Sequence, residues 1–250
     1  FVVNEDGAAA SDFRVESDSN THMLFVDAGN NKIGINTSSP DDALHVKGNL
    51  FLEDSSPEIT LETTNSSHYN WQIAAQENVA NSFEIAVGSA DADASNDSFT
   101  STLLINSIGA VTMPLQPAFA VKPTSNQSDI NCVDTHVTVA FGTEIFDVNA
   151  DYTPNTFTAP VTGKYQLQTN LYLSDFDASA DYLQADIVTS NNTYSTIWET
   201  GSEDSYVTLN VACTADMDAN DTAYVRLFQG SGAAQVDVRT AARFSGHLAC

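Results

Sequence analysis

Carboxylates are the residues of this chain with the most chemistry to offer, and three short runs of them are spaced as oxygen ligands would be. Asp91-Ala92-Asp93-Ala94-Ser95-Asn96-Asp97, Asp216-Met217-Asp218-Ala219-Asn220-Asp221 and Asp175-Phe176-Asp177-Ala178-Ser179-Ala180-Asp181 all alternate side-chain oxygens with small or apolar residues. Hard oxygens in a flexible loop are what calcium requires. The first run, however, has Asn96 where a calcium loop turns on glycine, and Thr102 where a bidentate Glu would close the site. A solvated acidic loop is expected there. Asp216 to Asp221 stands between two apolar strands and reads as a turn capped by its own Asx side chains. Asp175, Asp177 and Asp181 remain as candidate calcium ligands, with no other metal or cofactor expected.

Catalytic constellations are missing. His22, His45, His68, His136 and His247 include no pair at metal-ligand spacing. His45 and His247 sit inside apolar strand patterns, where a hydrogen-bonded structural role is expected. No nucleophile elbow, H-E-x-x-H, phosphate loop or dinucleotide fingerprint occurs, and Gly230-Ser231-Gly232 precedes no helical pattern. A glycan depolymerase would need two carboxylates about 5–10 Å apart across a cleft, and scattered acids do not establish one. The chain is not expected to be an enzyme.

Eight Lys and Arg against 33 Asp and Glu give a formal charge of -25. That excludes nucleic acid and anionic membrane surfaces as partners and leaves basic partners or divalent cations. Solubility in salt water explains it equally, since screening over about 8 Å makes a dense acidic surface tolerable. No apolar run reaches the ~18 residues of a membrane span, so neither membrane insertion nor a signal peptide at its start is expected. The first residue is Phe, so a start cut from a longer chain is expected. Cys132, Cys213 and Cys250 are too few and too far apart for a disulfide framework or metal knuckle. A Cys132–Cys250 bridge would need the first and last strands of a second domain side by side; reduced buried thiols are expected instead.

The elements that must position these residues are β-strands. Phe13-Arg14-Val15, Met23 to Asp27, Ile33-Gly34-Ile35 and Leu44-His45-Val46 alternate between Asn-, Asp-, Ser-, Gly- and Pro-rich turns. Leu50-Phe51-Leu52, Ile59-Thr60-Leu61, Trp71-Gln72-Ile73, Phe83-Glu84-Ile85, Leu103-Leu104-Ile105 and Val111-Thr112-Met113 continue the series as an antiparallel pattern with one wet face. There is a weak internal repeat. LFVDAGNNKIGI from Leu24 matches LLINSIGAVTM from Leu103, and Phe13-Arg14-Val15 matches Phe83-Glu84-Ile85 upstream, as in stacked modules. Pro114 and Pro117 interrupt any ladder and mark a linker. Beyond it, the stretch Phe141 to Leu173 reads as strand, irregular loop, strand, turn and long strand. Further alternating runs follow at Tyr182–Thr189, Tyr194–Glu199, Val207–Cys213, Ala223–Gln229 and Arg243–Cys250. These predict a two-sheet jelly roll.

Two resemblances follow from these residues. Val26-Asp27, Ile33-Gly34-Ile35, Thr37-Ser38-Ser39-Pro40 and Leu44-His45-Val46 resemble the shaft modules of bacteriophage tail fibres and related viral adhesins, with Asn36 in place of a common Gly. The likeness covers the first fifty residues and extends more loosely to residue 117. Pro117-Ala118-Phe119, Phe141, Asn149, Tyr152, Phe157 to Tyr165 and the closing Phe244-Ser245-Gly246-His247-Leu248 are similar to the globular head of the complement C-one-q and tumour-necrosis-factor superfamily. Together they imply an all-β, homotrimeric protein: an antiparallel β shaft or sandwich module, then a two-sheet jelly roll. Residues 1–49 would end a fibre-shaft repeat, 50–113 form a β-rich module, 114–117 link, and 118–250 form the head.

If the last strand ends beside the shaft, alternate connections fall at the far tip, at about 174–181, 199–206 and 230–242 in an antiparallel arrangement. The candidate receptor-binding residues are therefore Asp175, Asp177, Asp181, Glu203, Asp204, Tyr206, Gln235, Asp237 and Arg239, with Glu199 beside them. Carboxylates, amides and an aromatic can hold calcium or stack on and hydrogen-bond a sugar. The resemblances imply a virion tail fibre or fibre tip, extracellular on the particle and assembled in the host cytoplasm. It would bind itself, upstream fibre or baseplate proteins, and a bacterial surface glycan or protein. The alternative is a structural trimerisation or decoration subunit of a virion or cell-surface filament.

Overall fold

The alternating bursts become short strands. A computed structural model describes residues 12–201 and 205–250. Among these residues the only helical turn is a 3-10 turn at Ala94–Asn96. A first sheet holds β1 (Phe13–Val15), β2 (Leu24–Asp27), β3 (Lys32–Ile35) and β4 (Leu44–Val46) in chain order. Its last pair is parallel, with Ile33 opposite Leu44, which corrects a wholly antiparallel reading. Asn36 takes a left-handed φ of 59° as the chain leaves β3, and the connection carries it back to the strand's start, where the Ile33 N–H meets the Ala43 carbonyl at 2.8 Å.

A second sheet is an antiparallel meander of β5 (Glu58–Leu61), β6 (Tyr69–Ala75), β7 (Ser82–Ala90), β8 (Thr100–Asn106) and β9 (Val111–Thr112). Leu50 to Leu52, expected as a strand, forms none and is exposed; it gains neither a ladder partner nor a core. The internal repeat is structural. Phe13 lies opposite Val26 and Val15 opposite Leu24, as Phe83 lies opposite Ile105 and Ile85 opposite Leu103. Glu84 points to the other face and is buried. It accepts from Ser101 Oγ at 2.5 Å and from the N–H groups of Asn78 and Val79 at 3.1 and 2.9 Å. Burial works against its charge, but these hydrogen bonds win and hold its carboxyl below the usual range. The Asp91–Asp97 loop is an Asx-capped turn, with Asp93 Oδ1 accepting from Ser95 N at 3.0 Å.

From residue 118 the strands are β10 (Ala118–Lys122), β11 (Gln127–Ile130), β12 (Val137–Thr138), β13 (Thr143–Asp147), β14 (Tyr152–Thr153), β15 (Thr156–Thr158), β16 (Gly163–Ser174), β17 (Tyr182–Thr189), β18 (Thr193–Glu199), β19 (Tyr206–Met217), β20 (Thr222–Gly230), β21 (Val236–Val238) and β22 (Arg243–Leu248). One sheet runs β11-β21-β16-β22-β10-β13, with β19 also on β16; the other runs β14-β15-β20-β17-β18, with β12 on β20. Two antiparallel sheets whose neighbours are far apart in sequence make a jelly roll. The period-two rows predicted on β16 point inward: Tyr165, Leu167, Leu171 and Leu173 are fully buried, and Thr169 nearly so. At the core's centre Phe119 stacks on Phe157 at 4.6 Å and meets Phe244 edge-on at 5.0 Å. Gly246 is required by this packing, since a Cβ there would stand 2.5 Å from Leu167 Cδ2 and 2.9 Å from the Phe119 ring.

One charge is buried on the opposite side of β17 from the core. Asp186 accepts from Arg226 Nε at 2.7 Å and Gln184 Nε2 at 2.8 Å, with His136 Nδ1 3.7 Å away. Burial opposes its ionisation, but hydrogen bonds from Ser195, Gln184 and Arg226 and the guanidinium charge outweigh it and keep the pKa low. The cysteines are free. Cys132 and Cys213 are buried and Cys250 exposed; burial pushes the two inner thiols up to about 11.

Candidate functional site

β16 fixes the distance between the two ends of the jelly roll. At its first residues the Lys164 N–H donates to the Cys250 carbonyl at 2.8 Å, and Leu248 N–H donates to the Pro117 carbonyl at 3.0 Å, so the chain enters and leaves here together. Twelve residues at about 3.3 Å each carry Ser174 roughly 35 Å away. There the chain turns through Asp175, whose left-handed φ of 55° suits an Asp.

The connection that follows is tied down. Phe176 is buried against Trp198, rings edge to face at 4.9 Å. Asp177 Oδ1 accepts from both the N–H and the hydroxyl of Ser179 at 2.8 Å, and its Oδ2 accepts from Ala233 N–H at 2.6 Å. These bonds hold its carboxyl below the ordinary Asp value and lock residues 175–181 to residues 231–235. Gly232, at a φ of 81°, passes so close that a Cβ would lie 2.8 Å from Asp177 Oδ2. The buried Gln229 braces the same turn, its Nε2 donating to the carbonyls of Ser231 and Ala233 at 2.9 Å each.

Beside this brace a cleft of about 400 Å³ opens, lined by Ser174, Asp175, Phe176, Ser205, Tyr206, Asp237 and Arg239. Tyr206 is 57% exposed and stacked on Tyr172, centroids 5.5 Å apart and planes 23° from parallel. Asp237 lies on β21, opposite Ser174. Its Oδ1 accepts from Asp129 N–H at 3.0 Å and its Oδ2 faces Arg239 Nη1 at 3.3 Å, while Arg239 N–H donates to the Tyr172 carbonyl at 2.9 Å. The cleft thus offers an aromatic ring, the Asp175 carboxylate, the Asp237 carboxylate paired with Arg239, the hydroxyls of Ser174, Ser205 and Tyr206, and a half-buried guanidinium. These are groups that hydrogen-bond and stack on a polar ring.

Of the residues expected at the tip, Asp175, Tyr206, Asp237 and Arg239 come together here. Asp237 corrects the expectation in one respect: it stands on a strand within what was read as a 230–242 loop, because Val236-Asp237-Val238 is too short to show a period. Asp177 is near but is spent on holding the loops. Asp181 and Gln235 lie off the cleft, and Glu203 and Asp204 fall outside the described residues. Among the described residues no three or more His, Cys, Asp or Glu side chains gather as a metal site, so Asp175, Asp177 and Asp181 do not form one ligand set. Ser174, Phe176 and Ser205 were missed; only their adjacency to Asp175 and Tyr206 could have pointed to them. His247, expected in a hydrogen-bonded structural role, is exposed on β22, whereas His45 Nδ1 accepts from the Asp41 N–H at 3.3 Å. No helix among the described residues is long and apolar enough to cross a membrane.

A jelly roll with the two ends of its chain at one side and a polar cleft bearing Tyr206 on the loops at the other makes a β-sandwich head. Residues 118–249 match the C1q domain, and the chain belongs to that family. Among solved structures, the globular domain of zebrafish complement 1qA protein is 17% identical, with 54% of this chain and 98% of that one covered and a TM-score of 0.40. Murine APRIL, solved at pH 8.5, is 12% identical, with coverage of 53% and 98% and a TM-score of 0.39. No curated protein matches the chain.

Proposed function

We propose that the chain is a homotrimeric, non-catalytic attachment protein that binds a surface glycan or protein through the cleft at Asp175, Tyr206, Asp237 and Arg239. The observation that carries this reading is the cleft's position about 35 Å along β16 from where the chain enters the head. A C1q-domain head is the coarser support, since such heads are trimeric binding modules. The face of β16, β19 and β22 turned away from the core is in keeping with it. Gln168, Asn170, Asn210, Ala212, Arg243 and Ser245 line a shallow depression there that carries no carboxylate, so copies of a -25 chain can approach across it. Three weak sites on one particle reinforce one another through effective concentration.

The finer reading, a bacteriophage tail fibre or fibre tip outside the cell on the virion, joined to upstream fibre or baseplate proteins and assembled in the host cytoplasm, rests on the shaft-like residues 13–49 alone. The test is binding of the purified chain to bacterial envelopes and to arrayed capsular and O-antigen polysaccharides. Adsorption is expected, reduced at least tenfold by Tyr206→Ala and by Asp175→Ala. Release of oligosaccharide would refute the non-catalytic reading. Absence of any adsorption would favour the structural alternative, a trimerisation or decoration subunit of a virion or filament.

A further inference from the structure

In the second sheet the burial runs opposite to the polarity. On β6 the polar Asn70 and Gln72 are covered, whereas Trp71 is 41% and Ile73 36% exposed. The register explains what shares that open face. Ile59, Ile73, Ile85 and Leu103 stand in one cross-strand row, Leu61, Trp71 and Val87 in a second, and Phe83, Ile105 and Val111 in a third. The rows carry no charge, and their one polar member is Thr100, opposite Val87. The opposite face is sealed by the chain's own loops: Asn70 Nδ2 donates to Asp91 Oδ1 and Asp97 Oδ2 at 3.2 and 2.9 Å, and the Asn78-Val79 turn covers Glu84.

The first sheet also turns an apolar face outward, although Phe25 on its other face is buried. Phe13, Val26, Ile33 and Leu44 form one row and Val15, Leu24, Ile35 and Val46 the next, again uncharged and open to solvent to a large degree. In the register-matched repeat, Phe13, Val26 and Ile33 occupy the places of Phe83, Ile105 and Val111. On the second sheet Ile59, Leu61, Trp71, Ile73, Phe83 and Val111 are each between 36% and 55% exposed on one face, a grouped apolar patch that marks an interaction surface rather than singly scattered side chains.

We propose that these two faces are covered by further copies of this chain, packed face to face about a common axis. Charge selects that occupant. A basic partner would seek the acidic surface, whereas like-charged copies at -25 each meet best across faces that carry no charge. The repeat selects it too, because a copy offers both matching faces in the same order, and covering one equivalent face covers the other. The inference rests on the homo-oligomeric part of the reading above, names its surface outside the matched head, and is independent of what the cleft binds.

The test uses the full chain carrying Trp198→Phe, so that Trp71 is the remaining tryptophan. Mass by light scattering is read alongside acrylamide quenching of Trp71. The expected result is an oligomer in which Trp71 quenches several-fold less than free tryptophan. Ile73→Glu restores quenching, and Thr60→Glu, on the other face, does not. A monomeric parent chain would overturn both this inference and the homotrimer. An oligomer with freely quenched Trp71 would overturn this inference alone and leave assembly to the head. If Ile73→Glu fails to fold, the parent chain's quenching still decides.

Discussion

Replacing Arg226 by Met tests whether the Asp186 carboxylate is held as the geometry says. Asp186 is fully buried and Arg226 Nε sits 2.7 Å from its Oδ2, with 23% of the Arg side chain exposed. Met keeps the aliphatic packing and removes the charge and the donor. Removing one partner of a buried pair costs about 3–5 kcal/mol, and the partial exposure of Arg226 together with the surviving Gln184 bond favours the lower end, about 3 kcal/mol. For a head of this size that lowers Tm by roughly 10 °C. Restoring neutrality with Asp186→Leu in the same chain should recover most of the loss. The pH dependence has a definite sign. With Arg226 present the folded pKa is depressed, so the pair's stabilisation is complete above the unfolded Asp value and fades as pH falls through the folded one. Without Arg226 the carboxylate is penalised at neutral pH and relieved by protonation, so the gap between the two proteins should close on acidification. Calorimetry at fixed protein concentration measures both. A loss under about 1 kcal/mol, or a gap unchanged in acid, would refute the account.

Gly246→Ala should destabilise the head by about 1–3 kcal/mol in denaturant titration, because the new methyl meets Leu167 and the Phe119 ring inside van der Waals contact. Glu84, with its depressed pKa, stabilises the second sheet above its unfolded value of 4.5 and loses that contribution as pH falls through the folded value. The protection of residues 58–112 against hydrogen exchange, taken relative to the intrinsic rate at each pH, should therefore fall in acid, and Glu84→Gln should flatten that dependence. Chelating calcium should leave the melting of the head unmoved, since Asp177 is committed to Ser179 and Ala233; a lowered Tm would return calcium to the 175–181 loop.

The strands of the head were legible wherever a run exceeded four or five residues. Tyr165 to Leu173 shows its period without help, and Pro160, Gly163 and Gly246 mark places where the backbone or the core leaves one choice. Val236–Val238 could not be read, because three residues carry no period and its identity comes from pairing with β11 and β16, far away in sequence. The site was half legible. Antiparallel order places Asp175, Tyr206 and Arg239 at one end, but the pattern Asp-Phe-Asp cannot say which carboxylate faces solvent and which is turned back on Ala233. The same blindness applies to Tyr69 to Ala75. Alternation announces two faces, yet which one is sealed depends on loops at Asn78 and Asp91 and on what meets the other side.

The exposure of Cys250 has a practical corollary. It is the accessible thiol among three, the other two being buried with thiols pushed up to about 11, and it lies beside Gly163 at the end of β16 remote from the cleft. A maleimide applied at neutral pH will therefore mark one position per chain. Coupled to a sensor chip through that position, the heads will stand with their clefts outward in a uniform orientation, and no residue need be changed to achieve it.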